Sequence, residues 1–193
     1  MRVELDDITS GVSNDRMSAL SKKICILGDG LVGDSSHRSR LVKRQLSDSY
    51  LSSVGVTISY KSLEVFGGDQ QPKLKLHLII WDLQCGNKFK SVARRYLQGA
   101  SGAVIVADAS REETLAILSE RIQLFLSVNP KGFIVIAWNQ SDIVDEKKLE
   151  ELASQAPKLA PDRVLGTYKT SSQTGAYADE IFLQLAYRII APA

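Results

Sequence analysis

The sequence has little of several features that define whole classes of protein. Its two cysteines, Cys25 and Cys85, are too few for a disulfide-rich fold and indicate a reducing, cytoplasmic compartment. No apolar stretch approaches the ~20 residues that span a membrane, and no signal peptide is visible. The net charge of +2 is too small to favour a nucleic-acid partner. These absences favour an ordinary globular protein of the cell interior.

A lysine is missing where a phosphate-binding loop needs one. Residues 28–35 read G-D-G-L-V-G-D-S, so Asp34 stands at the lysine position of the pattern G-x-x-x-x-G-K-[ST]. In that pattern the backbone amides wrap phosphate, the lysine reaches the β- and γ-phosphates, and the following hydroxyl binds Mg²⁺. A unit-charge pair at ~4 Å is worth roughly 4 kcal/mol at an effective dielectric near 20, so reversing the sign costs more than deleting the lysine. The sequence predicts a loop of normal shape with the wrong charge.

Apolar runs alternate with helical patterns along the chain. A strand-like run at 23–27 leads into the glycine loop, and 54–66 and 74–81 are predicted hairpin partners across a turn cluster at 67–72. Continuous apolar runs at 102–108 and 132–138 are typical of central parallel strands. Apolar spacing predicts helices over roughly 111–128 and 176–190. This alternation predicts a doubly wound α/β sheet with right-handed crossovers.

The length of 193 residues indicates one domain with a sizeable core. Residues 1–20 are polar without sustained periodicity, and we interpret them as a flexible extension. The predicted domain spans 21–190, and 191–193 form a short tail. The chain ends without a C-terminal cysteine, so we expect no stable membrane anchor in this chain.

Four further stretches follow the glycine loop in a characteristic order. Residues 81–89 (WDLQCGNKF), 96–104 (YLQGASGAV), 139–142 (NQSD) and 170–175 (TSSQTG) are similar to WDTAGQERF, YYRGAxGVI, NKxD and TSAKTG. With the loop, they make residues 22–190 resemble the Ras-like small GTPases, most closely the Rab branch. The resemblance implies the P-loop small G-protein fold, with a mostly parallel six-stranded sheet, one antiparallel edge strand and helices on both faces.

The resemblance implies a guanine-nucleotide site in which some positions are kept and others changed. Asn139 and Asp142 match the residues that read guanine, whereas Gln140 and Gln173 replace lysines. For Mg²⁺ it implies the oxygen ligands Ser35, Ser53 and Asp82, which suit a hard cation. The full set implied for the nucleotide is Gly28, Asp29, Gly30, Val32, Gly33, Ser35, Ser36, Asn139, Gln140, Asp142, Ser171, Ser172 and Gln173.

The family's catalytic glutamine is also missing. In a gapless alignment Gly86 takes the position of the glutamine that orients the attacking water, and Cys85 takes a glycine that contacts the γ-phosphate. Shifting the alignment by one residue brings Asn87 to the glutamine position, but the asparagine side chain is one methylene shorter than that of glutamine. We therefore assign no catalytic residue, and expect GTP, GDP and Mg²⁺ binding and hydrolysis to be weak or lost.

Two functions stay open at this point. The first is a pseudo-GTPase, a regulatory module that binds protein partners through its switch regions and the hairpin between them. Its candidate surface is Val56, Ile58, Tyr60 and Trp81, although alternate residues of such a strand also serve as core. The second is a slow guanine-nucleotide switch in membrane traffic or signalling, in which Asp34 must be neutralised. Both readings imply a monomeric G domain that is at most peripheral to membranes.

Overall fold

The computed structural model describes residues 19–28, 49–51, 56–65, 74–83, 93–111, 113–139, 144–170 and 178–191. Within these ranges the chain forms seven strands and four α-helices. The strands are β1 (Ala19–Gly28), β2 (Ser49–Leu51), β3 (Val56–Val65), β4 (Leu74–Leu83), β5 (Ala100–Asp108), β6 (Phe133–Asn139) and β7 (Val164–Lys169). The helices are α1 (Ala93–Leu97), α2 (Thr114–Val128), α3 (Glu146–Gln155, followed by a 3-10 turn at Ala156–Leu159) and α4 (Ala178–Ile190).

The strands form one sheet in the order β2-β3-β4-β1-β5-β6-β7. Strand β3 pairs antiparallel with both β2 and β4, and the pairs β4–β1, β1–β5, β5–β6 and β6–β7 are parallel. The predicted α/β fold with a mostly parallel sheet is therefore confirmed, including its six long strands. The three-residue strand β2 adds a seventh, so the antiparallel strand β3 lies one position inside the edge.

The apolar runs became strands because both faces of the central sheet are covered. In β5 every residue from Gly102 to Asp108 is buried, and in β6 every residue from Ile134 to Asn139 is buried. One face carries a core with Leu118 and Phe125 of α2, and the opposite face carries a core with Leu185 of α4. The predicted helices are thus confirmed, and α2 begins at Thr114 rather than 111.

Other sequence predictions lie outside the described residues. These include the turn cluster at 67–72 and most of the proposed extension at 1–20. Strand β1 already begins at Ala19, and the domain boundary at residue 21 stays a prediction. No helix within the described ranges is long and apolar enough to cross a membrane.

Candidate functional site

The carboxyl ends of the parallel strands meet at one edge of the sheet. Strand β1 ends at Gly28 and β6 ends at Asn139, while Asp82 is the penultimate residue of β4. Pairing of Ile26 with Asp82, and of Asp108 with Asn139, keeps these ends level. Ligands of open α/β sheets bind outside the carboxyl ends of the strands. The three predicted site residues that the structure describes therefore share the edge expected of a site.

The other predicted site residues lie outside the described residues, and their roles stay predictions. They are Asp29, Gly30, Val32, Gly33, Asp34, Ser35, Ser36, Ser53, Gly86, Gln140, Asp142, Ser171, Ser172 and Gln173.

Asp82 supplies a buried carboxylate near the end of β4. Asp82 is only 6% exposed. In the sheet register it pairs with Ile26 of β1 on one side and Thr57 of β3 on the other. Mg²⁺ is commonly held by one or two carboxylates with several waters, so the Asp82 carboxylate fits that ion. Within the described part of the chain no group of three or more His, Cys, Asp or Glu side chains could hold a metal. Asp82 is thus the one predicted Mg²⁺ ligand that the structure describes.

Asn139 presents a buried side chain amide with unused hydrogen-bonding capacity. The residue is 1% exposed, and neither Nδ2 nor Oδ1 has a hydrogen-bond partner among the described residues. Its backbone is fixed, because its carbonyl accepts a hydrogen bond from Ala109 N at 3.2 Å. Leaving a buried polar group unsatisfied costs about 1–3 kcal/mol. A ligand offering both a donor and an acceptor would satisfy this amide.

Two buried polar residues at the same edge were not among the predicted site residues. The Asp108 carboxylate accepts hydrogen bonds from Ser110 N at 2.9 Å and from Ser110 Oγ at 2.6 Å. Thr170 donates from its backbone N and from Oγ1 to the carbonyl of Trp138, at 2.7 and 3.1 Å. These hydrogen bonds stabilise the strand ends. The Asp-x-Ser pattern after an apolar run was the sequence signal for the Asp108 turn.

The outer face of the β3–β4 hairpin, meaning Ile58, Tyr60 and Trp81, carries an aromatic surface. Tyr60 is 51% exposed, and Ile58 and Trp81 are half-buried. The Trp81 ring lies 6.2 Å from that of Tyr96, measured between centroids, and Lys23 Nζ lies 4.1 Å above it. Val56, also predicted for this surface, is 1% exposed and packs in the core, so that assignment was wrong.

Behind this surface, β1 contributes a lysine and a cysteine in an apolar setting. Burial lowers the pKa of Lys23, whose Nζ donates to the carbonyl of Gln98 at 2.9 Å. Burial raises the pKa of the Cys25 thiol to about 12. Cys25 is fully buried and its Sγ donates to the carbonyl of Tyr96 at 3.7 Å. The thiol is therefore neutral and packed in the core as a small apolar group.

Known proteins match this chain over most of its length. Residues 23–142 match the family described as Roc, the Ras of Complex domain of DAPkinase. GTP-binding protein ypt4 of Schizosaccharomyces pombe is 31% identical over 170 residues, covering 87% of this chain and 71% of that protein. Ras-related protein Rab5 of Nicotiana tabacum is 29% identical over 179 residues, covering 92% and 86%. Ras-related protein Rab-22A of Homo sapiens is 27% identical over 176 residues, covering 90% and 86%.

Proposed function

The chain belongs to the Ras superfamily of small GTPase domains, with Rab proteins among its relatives, and from that premise we propose that it acts as a regulatory protein-binding module with a weak guanine-nucleotide cycle. The single observation that carries this proposal is Asp34, a carboxylate at the lysine position of the phosphate loop. A carboxylate repels the β- and γ-phosphates that the lysine would attract.

The hydrolysis machinery is altered outside that loop as well as within it. Gly86 stands at the position of the water-orienting glutamine, and Asp34 removes a cation that would stabilise transition-state charge. The loss of both groups argues against rapid turnover even where nucleotide binds. What supports binding through a surface is the outer hairpin face, because aromatic side chains are enriched at the centres of protein interfaces.

The nucleotide content of the purified protein tests the weak cycle. We expect denatured protein to release well under one equivalent of GDP plus GTP on chromatography, because the reversed charge disfavours phosphate. Ras-family protein of normal affinity, purified in parallel, serves as the positive control. Recovery of one full equivalent of guanine nucleotide would overturn the proposal.

The binding surface has a matched pair of test variants. Tyr60 is 51% exposed on the outer hairpin face and Tyr187 is 45% exposed on α4, so Tyr60→Glu and Tyr187→Glu make the same change at two separate places. We expect a protein that binds the wild type with a measurable affinity to bind Tyr60→Glu at least about tenfold more weakly. The same protein should bind Tyr187→Glu with unchanged affinity. Equal losses with both variants would contradict a hairpin-centred surface.

A slow guanine-nucleotide switch is the second candidate, and Asn139 is the observation that favours it. A buried amide with unused donors and acceptors is costly unless a ligand engages it, and the family uses this position to read guanine. The buried carboxylate of Asp82 fits the Mg²⁺ such a ligand would bring.

This second candidate predicts measurable GTP hydrolysis with Mg²⁺ that Asp142→Ala abolishes. Here Asp34 must be neutralised, for example by Arg38 at i,i+4 spacing. Single-turnover hydrolysis by wild type and Asp142→Ala, measured against a protein-free blank, separates the two candidates. Turnover equal to the blank contradicts the switch, and turnover that depends on Asp142 favours it over the pseudo-GTPase.

A further inference from the structure

A second candidate site lies at the opposite end of the parallel strands. A cavity of about 450 Å³ opens where β1, β5 and β6 begin and where α2 and α4 end. Its volume is within the usual range of small-molecule sites. The lining residues that matter here are Lys22, Ser101, Asn129, Lys131, Phe133 and Ile189. We call this feature the amino-end cavity.

Basic side chains surround the amino-end cavity without acidic partners. Lys22 and Lys131 line it, and no Asp or Glu stands among the described residues of its lining. The guanidinium carbons of Arg163 and Arg188 lie 5.7 and 5.0 Å from the ring centroid of Phe133, which forms part of the wall. Among the described residues, ion pairs join Lys61 to Asp179 and Lys169 to Glu146, but none involves these four cations.

The negative ends of helix dipoles offset only part of the positive charge at this cavity. Helices α2 and α4 end beside the cavity, and each helix C-terminus carries about half a unit of negative charge. Two such termini offset about one of the two full positive charges that Lys22 and Lys131 bring to the lining. The net positive charge that remains lies on a concave surface, and such a surface favours anions from solution.

The walls that carry this charge are held in place by the fold. Asn129 is only 9% exposed, and its Nδ2 donates to the carbonyl of Leu97 at 2.9 Å, which joins α2 to α1. Gly132 N donates to the carbonyl of Asn129 at 2.9 Å, and Arg163 Nη1 contacts the carbonyl of Lys131 at 3.4 Å. These contacts fix the turn from which Lys131 extends. The cavity therefore combines a rigid backbone with flexible cationic side chains.

From this arrangement we propose that the amino-end cavity binds a small organic anion that carries a phosphate monoester next to an apolar group. A phosphate monoester holds close to two negative charges at neutral pH, which suits Lys22 and Lys131 together. Lysine binds phosphate as a point charge and needs no fixed planar geometry. Phe133 and Ile189 offer the apolar contact for the rest of the ligand. The same chemistry occurs in soluble phosphate esters and in phosphomonoester lipid headgroups.

Phenyl phosphate is a suitable soluble probe, with inorganic phosphate as its fragment. We expect phenyl phosphate to shift amide resonances of residues 99–101 and 128–133, and inorganic phosphate to bind at least about tenfold more weakly because it leaves the apolar wall uncovered. Excess GDP should not displace the probe, because the guanine site lies at the other end of the strands. Displacement by GDP, or shifts confined to other residues, would overturn the proposal.

Charge variants test the lysines against a matched control. We expect Lys22→Glu and Lys131→Glu each to weaken phenyl phosphate binding about tenfold, and Lys131→Arg to keep it. Lys147→Glu makes the same charge change at the exposed start of α3 and should have little effect. Melting temperatures establish that each variant folds, and the glutamine variant at the same position replaces any glutamate variant that does not. If Lys131→Glu, or Lys131→Gln in its place, binds phenyl phosphate as tightly as the wild type, the proposed site is contradicted.

A vesicle experiment separates the two sources of the ligand. The full chain is sedimented with phosphatidylcholine vesicles, with or without phosphatidic acid, which displays a phosphomonoester. Binding that requires phosphatidic acid and falls with Lys131→Glu but not Lys147→Glu supports a lipid ligand. Binding of phenyl phosphate without vesicle binding supports a soluble ester. Failure of both probes overturns the proposal and leaves the proposed function unaffected, since that function rests on the other edge.

Discussion

The carboxyl ends of the parallel strands and their amino ends carry groups of opposite charge. At the carboxyl ends, Asp82 and Asp108 are buried carboxylates, each 6% exposed. At the amino ends, Lys22 and Lys131 line a cavity whose described lining contains no carboxylate. The same sheet thus presents buried acidic and amide groups at one edge and accessible cations at the other.

Helix direction explains the sign of this difference. In an α/β fold each helix begins near the carboxyl end of one strand and ends near the amino end of the next, so positive and negative dipole ends segregate. Asp145 illustrates the positive end, because its side chain caps α3 by accepting from Lys147 N at 3.2 Å. Acidic groups at strand carboxyl ends and basic groups at amino ends both follow this rule. The positive helix ends at the carboxyl edge favour a triphosphate there, and Asp34 adds a negative charge that opposes it.

The largest expected effect comes from giving the carboxyl edge its missing cation. Asp34→Lys should raise the affinity for GDP at least about a hundredfold, since it replaces repulsion with attraction at contact distance. Isothermal titration with GDP and Mg²⁺ measures the change. The result would make both ends of the sheet accept phosphate and so abolish the contrast between them.

Asp162→Lys is the control for this prediction. It makes the same charge change on an exposed turn between α3 and β7 and should leave the GDP affinity within about twofold. If Asp34→Lys gave no more gain than Asp162→Lys, the charge at residue 34 would not be what limits nucleotide binding.

A smaller effect is expected from crowding the amino end. In Gly132→Ala the new Cβ would lie 2.6 and 2.7 Å from Cε1 and Cζ of Phe125, a fully buried ring. Overpacking of this kind costs about 1–3 kcal/mol, measurable by urea unfolding. Gly166→Ala is the matched control, because the nearest atom to its new Cβ is Oε1 of Gln184 at 3.4 Å, an ordinary van der Waals contact. Equal stability of the two variants would show that the turn beside Phe133 yields, and that the cavity walls are not rigid.

The sequence predicted the elements whose signal is a continuous apolar run or a helical stripe. Strands β5 and β6 and helices α2 and α4 were found for this reason. Strand β7 was not predicted, because Gly166 interrupts it and every residue after Val164 is only half-buried at the sheet edge. Helix α3 was also not predicted, because its only buried residues are Leu149 and Leu152 in a charged stretch.

The two candidate sites differ in how far the sequence could reveal them. Asp82 and Asn139 were predicted because each stands within a short motif whose order along the chain is informative. Lys22, Lys131 and Arg188 belong to no motif, and they lie more than fifty residues apart in the sequence. Only the pairing of β1, β5 and β6 brings their surroundings together. The unsatisfied amide of Asn139 was also invisible in the sequence, because it depends on what packs around it.

The smallest expected effect compares two buried polar groups at the carboxyl edge. Thr170→Val removes a hydroxyl that donates to Trp138 O, so the free energy of unfolding should fall by about 1 kcal/mol. Asn139→Leu removes an amide without partners among the described residues, so stability without ligand should be unchanged or slightly higher. Urea unfolding measures both near-isosteric changes. Adding GDP should stabilise wild type and Thr170→Val but not Asn139→Leu if the amide engages guanine. If Asn139→Leu lowered the free energy of unfolding without ligand as much as Thr170→Val does, the amide would already stabilise the fold and would not be available to bind a nucleotide.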